Sequence, residues 1–315
     1  MGDRLKGRAA IVTGAGGGIG REMSLALAAE GASVMVVDLG AARDGGGTDL
    51  GPADKVVSEI KDNGGNAVVN YSSVTDFKVV EGIINNCVEN FGRVDIVVNC
   101  AGVLRERMIW NMSEEDWDLV LAVHLKGTFN LCRHACVKMK EQGYGRIVNI
   151  TSDAWRGAVG QCNYAAAKGA IVSLTSSIAR EMGRYGVTAN CISPLAATRM
   201  TMTEQVMAGW KKRFESGLMT KEHYESLMAM PGPQYVPPMV VYLVSEAAAN
   251  INGRVFHVEK GRVSIYNEPV ETLAVYKFTE DGMFRLEELE DFVPKALLKG
   301  YINPAPPAEP KKDKA

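Results

Sequence analysis

The stretch Arg8-Ala9-Ala10-Ile11-Val12-Thr13-Gly14-Ala15-Gly16-Gly17-Gly18-Ile19-Gly20 decides the fold. Its first part is a short apolar run bounded by Gly7 and Gly14, the pattern of a strand buried on both faces of a parallel sheet. A glycine turn follows, then a helical pattern that runs through Glu30. A glycine-rich turn alone is often no more than a tight turn. Placed between a strand and a helix it points to phosphate binding. Glycines let the backbone approach a pyrophosphate, and the helix N-terminus offers free N–H groups and positive dipole.

The second strand, Ser33–Val37, ends at Asp38. An acidic residue about 20 positions past the glycines suits the ribose hydroxyls of NAD and repels the 2′-phosphate of NADP. NAD is therefore the expected cofactor and NADP the lesser candidate, with Arg43 the nearest cation. Strands and helices go on alternating. A helix over 53–63 closes at Asn63-Gly64-Gly65, a strand spans 66–71, and a helix spans 77–91. A fourth strand, Val94–Val98, leads into Asn99-Cys100-Ala101-Gly102. The pattern predicts an α/β, Rossmann-type doubly wound parallel sheet of about seven strands. Ligands of such sheets sit beyond the strand C-termini. The long Gly-rich loop over 40–53 is expected to form a mobile rim.

Ser113 caps the next helix, expected over 117–140 and carrying His124. Gly145–Ser152 reads as the fifth strand, with hydroxyls at its end. Then comes Tyr164-Ala165-Ala166-Ala167-Lys168. Residues four apart share a helix face, so phenol and ammonium point into one cleft. A free phenol titrates near pH ~10, and a fixed cation beside it favours the phenolate. The pair is a proton-transfer device for an alcohol or ketone; as an isolated pattern it would more often be a surface pair.

Val187–Ile192 is the sixth strand, running into Ser193-Pro194. Residues 195–231 lose this regularity. They hold Met200, Met202, Met207, Met219, Met228 and Met230 with Trp210 and Phe214, which suits a lid over an apolar substrate as well as plain helix core. A helix and a last strand, Arg254–Val258, close a domain over 1–262. A C-terminal extension over 263–301 is expected to hold a strand at Ala274–Phe278 and an amphipathic helix at Leu286–Lys295. The Pro-rich, charged residues 302–315 read as a disordered tail.

The net charge of -2 gives no attraction to nucleic acid or a membrane surface. The six cysteines lack ligand spacing and fall in apolar segments, so reduced thiols and no metal are expected. No apolar run is long enough to span a bilayer. The N-terminus lacks an apolar signal region and the C-terminus a peroxisomal address, so a cytoplasmic location is expected.

Taken together, Thr13-Gly14-x-x-x-Gly18-Ile19-Gly20, Asn99-Cys100-Ala101-Gly102, Ser152 and Tyr164-x-x-x-Lys168 resemble the short-chain dehydrogenase/reductase family over residues 5–262. Val37–Gly40, Ala53–Val57, Glu115–Asp118 and Val123–Leu125 are similar to the (3R)-hydroxyacyl-CoA dehydrogenase branch found in peroxisomal multifunctional enzymes of type 2. The resemblance implies that Tyr164 is the general acid/base, that Lys168 lowers its pKa and binds the nicotinamide ribose, and that Ser152 bonds the substrate oxygen. It implies cofactor contacts from Gly14, Gly16, Gly18, Ile19, Gly20 and Asp38. It extends them to Ser73, Val74, Asn99, Ala101 and Gly102, and to Pro194 and Thr198.

His124 stands where most members have Asn, either relaying protons or capping local backbone. The Ser152–Tyr164 interval is one residue shorter than is common, which makes Thr151 a substitute candidate. Leu195 follows Pro194 where Gly is common.

The implied function is NAD-dependent oxidation of a secondary alcohol, a 3-hydroxyacyl-CoA or a similarly apolar hydroxy compound, by a homotetramer or dimer. A 3-oxoacyl reductase or a steroid or terpene alcohol dehydrogenase is the alternative within the class. A non-catalytic partner subunit of an active homologue is the alternative outside it.

Overall fold

The computed structural model describes residues 2–198, 201–202, 204–217, 219–280 and 282–303. They form two compact units, Met1–Tyr266 and Asn267–Ala315. Met200 and residues 304–315, most of the expected tail, lie outside the described residues.

The first unit is built on one sheet. Its strands are β1 (Ala9–Thr13), β2 (Ser33–Val37), β3 (Asn66–Asn70), β4 (Ile96–Asn99), β5 (Gly145–Ile150), β6 (Val187–Pro194), β7 (Val255–Glu259) and β8 (Arg262–Ile265). Their order is β3-β2-β1-β4-β5-β6-β7-β8. All neighbours pair in parallel except β7 and β8. The sheet thus has eight strands where the alternation suggested about seven, the added one being an antiparallel edge strand. The order reverses between β1 and β4, which opens a crevice at their C-terminal ends.

Every residue of β1 is buried, because both faces are covered. Ala10 and Val12 pack with Val34 and Val36 beneath α1 (Gly18–Ala29), α2 (Gly51–Asp62) and α9 (Pro237–Val244). Ile11 alternates to the other face with Met35 and Val97, against α3 (Phe77–Phe91), α5 (Gly127–Gln142) and α6 (Cys162–Met182). The helix that opens at Ser113 forms as α4 (Glu114–Leu121), with Ser113 Oγ accepting from Asp116 N. It joins α5 through a π-helical turn, Ala122–Lys126. The 195–231 region forms α7 (Glu204–Glu215) and α8 (Lys221–Met228). No described helix is long and apolar enough to cross a membrane.

In the second unit, α10 (Leu286–Phe292) is capped by Glu288, whose carboxylate accepts from Arg285 N at 2.7 Å, and it winds into a π turn at Val293–Leu297. The strand expected at Ala274–Phe278 does not form. Tyr276 and Phe278 are exposed and stack on each other, with ring centroids 6.2 Å apart.

Beneath the crevice a polar chain crosses the core. Asn99 Nδ2 donates to Asn149 Oδ1 at 2.8 Å, and Asn149 Nδ2 donates to Thr175 Oγ1 at 2.8 Å. Truncating the middle member leaves Asn99 Nδ2 with only Cys132 Sγ at 3.4 Å, while Thr175 Oγ1 keeps Ile171 O and Cys191 Sγ; one poorly satisfied buried group costs about 1–3 kcal/mol. Asn149→Ala should therefore lower unfolding stability by about 1–3 kcal/mol in urea titration. A loss below about 1 kcal/mol would mean the chain is not a unit.

Candidate active site

Three glycines of the first turn have separate duties. A Cβ on Gly14, whose φ is +64°, would lie 2.8 Å from Ala101 Cα; one on Gly20 would lie 2.1 Å from Gly14 O. Gly17 caps α1 in an extended conformation without a side-chain cap, and a Cβ there would meet nothing within 4 Å. The first-turn amides of α1 thus have no side chain capping them from Gly17, and space lies in front of that residue. This is a cradle that fits a pyrophosphate.

Asp38 closes the turn from the side. Its Oδ2 accepts from Gly16 N and its Oδ1 from Gly40 N, each at 2.7 Å. Gly16 N–H is thereby committed to Asp38, and Gly16 does not line the cavities of the crevice. Asp38, Ser73, Val74 and Ala101 line a cavity of about 110 Å³. Arg43 pairs with Glu106 and is no part of that wall.

A second cavity, about 290 Å³, shares Gly14 and Gly102 with the first. Gly18, Ile19 and Gly20 line one side of it, and Ser152, Tyr164, Lys168 and His124 the other. Pro194 and Thr198 also reach it. A larger hollow, about 840 Å³, lies far from these groups between α1 and α9 and has mostly apolar walls such as Leu25, Ala29 and Val241.

The early start of α6 sets Tyr164 and Lys168 one turn apart, with Lys168 Nζ 5.5 Å from the Tyr164 ring centroid. The ammonium is held by backbone. It is buried and donates to Ile150 O at 2.6 Å, the carbonyl ending β5. Burial lowers its pKa to about 8. Burial likewise raises Tyr164 to about 12, opposed by a hydrogen bond with Ser152. In the chain alone, desolvation outweighs that hydrogen bond. Thr151 lines the same cavity, with its hydroxyl donating to Lys168 O at 2.9 Å.

Asn99 stands apart from the cavities. Its side chain turns into the core network and lines neither cavity. His124 sits in the π turn with its Nε2 2.8 Å from Val103 O and 3.1 Å from Val103 N, so it braces local backbone. Its ring also meets Tyr164 edge-on, centroids 5.1 Å apart, while Nδ1 is buried without a partner. A Cβ on Gly102 would lie 2.3 Å from the imidazole, so Gly102 makes room for it.

Sequence reasoning missed Glu106 and Gln161, which line the cavity and bond each other at 2.7 Å, and also Leu104, Thr201 and Val206. They lie on loops or on α7, where periodicity carries no signal. Trp210, named in the candidate lid region, is a cavity wall. All six thiols are free, and among the described residues no cluster of His, Cys, Asp and Glu could hold a metal.

A parallel sheet with a reversed strand order, a glycine cradle and a Ser-Tyr-Lys cavity together define a Rossmann-type protein. Comparison with known proteins places it further. The short chain dehydrogenase family model matches residues 8–209, and the chain belongs to that family. It is 39% identical to the hydroxyacyl-CoA dehydrogenase ChsB1 of Mycobacterium tuberculosis, over 84% of this chain and 81% of that protein. It is 41% identical to the peroxisomal multifunctional enzyme type 2 of Mus musculus over 82% of this chain. The match spans only 32% of that longer protein. A crystal structure of a short chain dehydrogenase from Mycobacterium avium superposes with a TM-score of 0.77 at 41% identity, covering 97% of this chain and 98% of that one.

Burial lowers His124 to about 3, far below its ordinary 6.5. Above pH 6.5 it is neutral in both folded and unfolded chain. Between 6.5 and 3 the unfolded chain binds the proton and the folded one does not, so stability falls with pH. Wild type should lose stability relative to His124→Asn as pH drops through that window in urea titration. Parallel curves would show that the imidazole is not buried neutral.

Proposed function

We propose that this chain is an NAD-dependent dehydrogenase of secondary alcohols, with 3-hydroxyacyl-CoA thioesters as the substrate class. One observation carries the reading: the glycine cradle and Ser152, Tyr164 and Lys168 line a single cavity. One relative, the hydroxyacyl-CoA dehydrogenase ChsB1, supports the substrate class through its name. Asp38 supports NAD over NADP, since a carboxylate there favours ribose hydroxyls and opposes a phosphate.

Bound at the cradle, a nicotinamide dinucleotide would supply the hydride acceptor. Ser152 and Tyr164 hold the substrate oxygen between two hydroxyls. Tyr164 takes the carbinol proton, and the charge on Lys168 favours the phenolate. Leu104, Ala196, Val206 and Trp210 give the cavity the apolar wall that an acyl chain needs. α7 brings the last two of these and serves as a lid. Phe77, Phe129 and Val137 leave apolar area exposed on α3 and α5, which supports self-association.

Tyr164→Phe should reduce kcat by about 10²–10⁴-fold in an NADH-absorbance assay with a 3-hydroxyacyl-CoA, leaving the Kd for NAD unchanged. NADP run in parallel should be the poorer cofactor. Turnover retained in the variant rejects the assignment.

A further inference from the structure

Asp153 follows Ser152 and opens a 3-10 turn, Asp153–Arg156. Four polar groups converge on it from the sheet and from its own turn. Ser193 on β6 and His257 on β7 are register partners and both are buried. Ser193 Oγ donates to Asp153 Oδ1, and Tyr266 OH donates to the same oxygen at 2.6 Å. His257 Nδ1 lies 3.3 Å from it. Arg156 is 3.5 Å from Oδ2.

Tyr266 is itself fixed. Its N–H donates to Val255 O at 2.9 Å, continuing the β7–β8 hairpin. Its ring stands edge-on to Trp155 with centroids 5.6 Å apart, and Arg156 lies over it at 5.3 Å. The turn is thus tied at its first residue and packed at Trp155. Inside it, Ala154 N donates to Ser152 Oγ at 3.3 Å, so a shift of the turn moves the serine hydroxyl.

None of Asp153, Ser193, His257 and Tyr266 lines the cavity that holds Tyr164. From Asp153, the direct route to the cavity is its chain neighbour Ser152. Several donors on one carboxylate oxygen make a stiff, charge-assisted anchor. Reactivity responds to misplacements of an ångström by about 10²-fold.

We propose that Asp153, gripped by Tyr266, Ser193 and His257, is a positioning residue for Ser152, so that the β7–β8 hairpin sets where the serine hydroxyl meets the substrate oxygen. The inference rests on the dehydrogenase reading of Ser152.

Tyr266→Phe tests it in the full chain, because it keeps the ring on Trp155 and deletes one donor. Two measurements are made. Amide hydrogen exchange over 154–157 should quicken several-fold with an unchanged Tm. With NAD and a 3-hydroxyacyl-CoA, kcat should fall about tenfold at constant KM for NAD, and Tyr266→Phe should have no further effect in a Ser152→Ala background. Ser193→Ala removes a second donor to the same oxygen and should reproduce the pattern if Tyr266→Phe folds poorly. Unchanged exchange overturns the proposal, and so does a kcat loss repeated in full on Ser152→Ala. A wild type that oxidises no hydroxyacyl thioester sinks the dehydrogenase reading instead; exchange then decides alone whether Tyr266 anchors the turn.

Discussion

The architecture of the site depends on one buried contact, the Lys168 ammonium donating to the Ile150 carbonyl at the end of β5. An ammonium taken out of water needs a fixed acceptor. A strand terminus supplies one, since its last carbonyl has no further ladder partner. Thr151 adds a second tie by donating to Lys168 O. The start of α6 and the end of β5 are stitched in both directions, and this sets the direction in which Tyr164 and Ser152 project. Burial that lets Lys168 shed its proton more readily also makes Tyr164 harder to ionise. Tuning the phenol downward therefore requires something further in the cleft.

The rest of the frame serves the same edge. Parallel pairing of β1 with β4 and of β4 with β5 brings Gly14, Gly102 and Ile150 onto one rim. The polar chain Asn99–Asn149–Thr175 fills the sheet interior just below. Apolar packing alone would leave register free to slip there; directional bonds restrict it. The π turn at Ala122–Lys126 then swings His124 under Gly102. Such irregular turns cluster at functional positions.

Much of this was legible in residues alone. Ala9–Thr13 reads as a doubly covered strand because no polar residue before Thr13 interrupts it. Tyr164 and Lys168 declare a shared face by spacing. Which way Asn99 turns is not legible, because an amide at a strand end looks the same whether it faces the cleft or the core. The π turn left no mark, since one extra residue inside a helix keeps the apolar pattern nearly intact. β8 was folded into the extension because an edge strand such as Arg262–Ile265 is half exposed and weakly patterned. The Tyr266–Asp153 bond joins residues 113 apart, beyond any local signal.

Ionisation of Tyr164 tests the central claim most directly. It is read as tyrosinate absorbance of wild type minus Tyr164→Phe across pH, with and without NAD. The account predicts a titration near pH 12 for the chain alone and a fall of about two pH units or more when NAD fills the cradle and holds the Lys168 charge near the phenol. The same high titration in saturating NAD would contradict it.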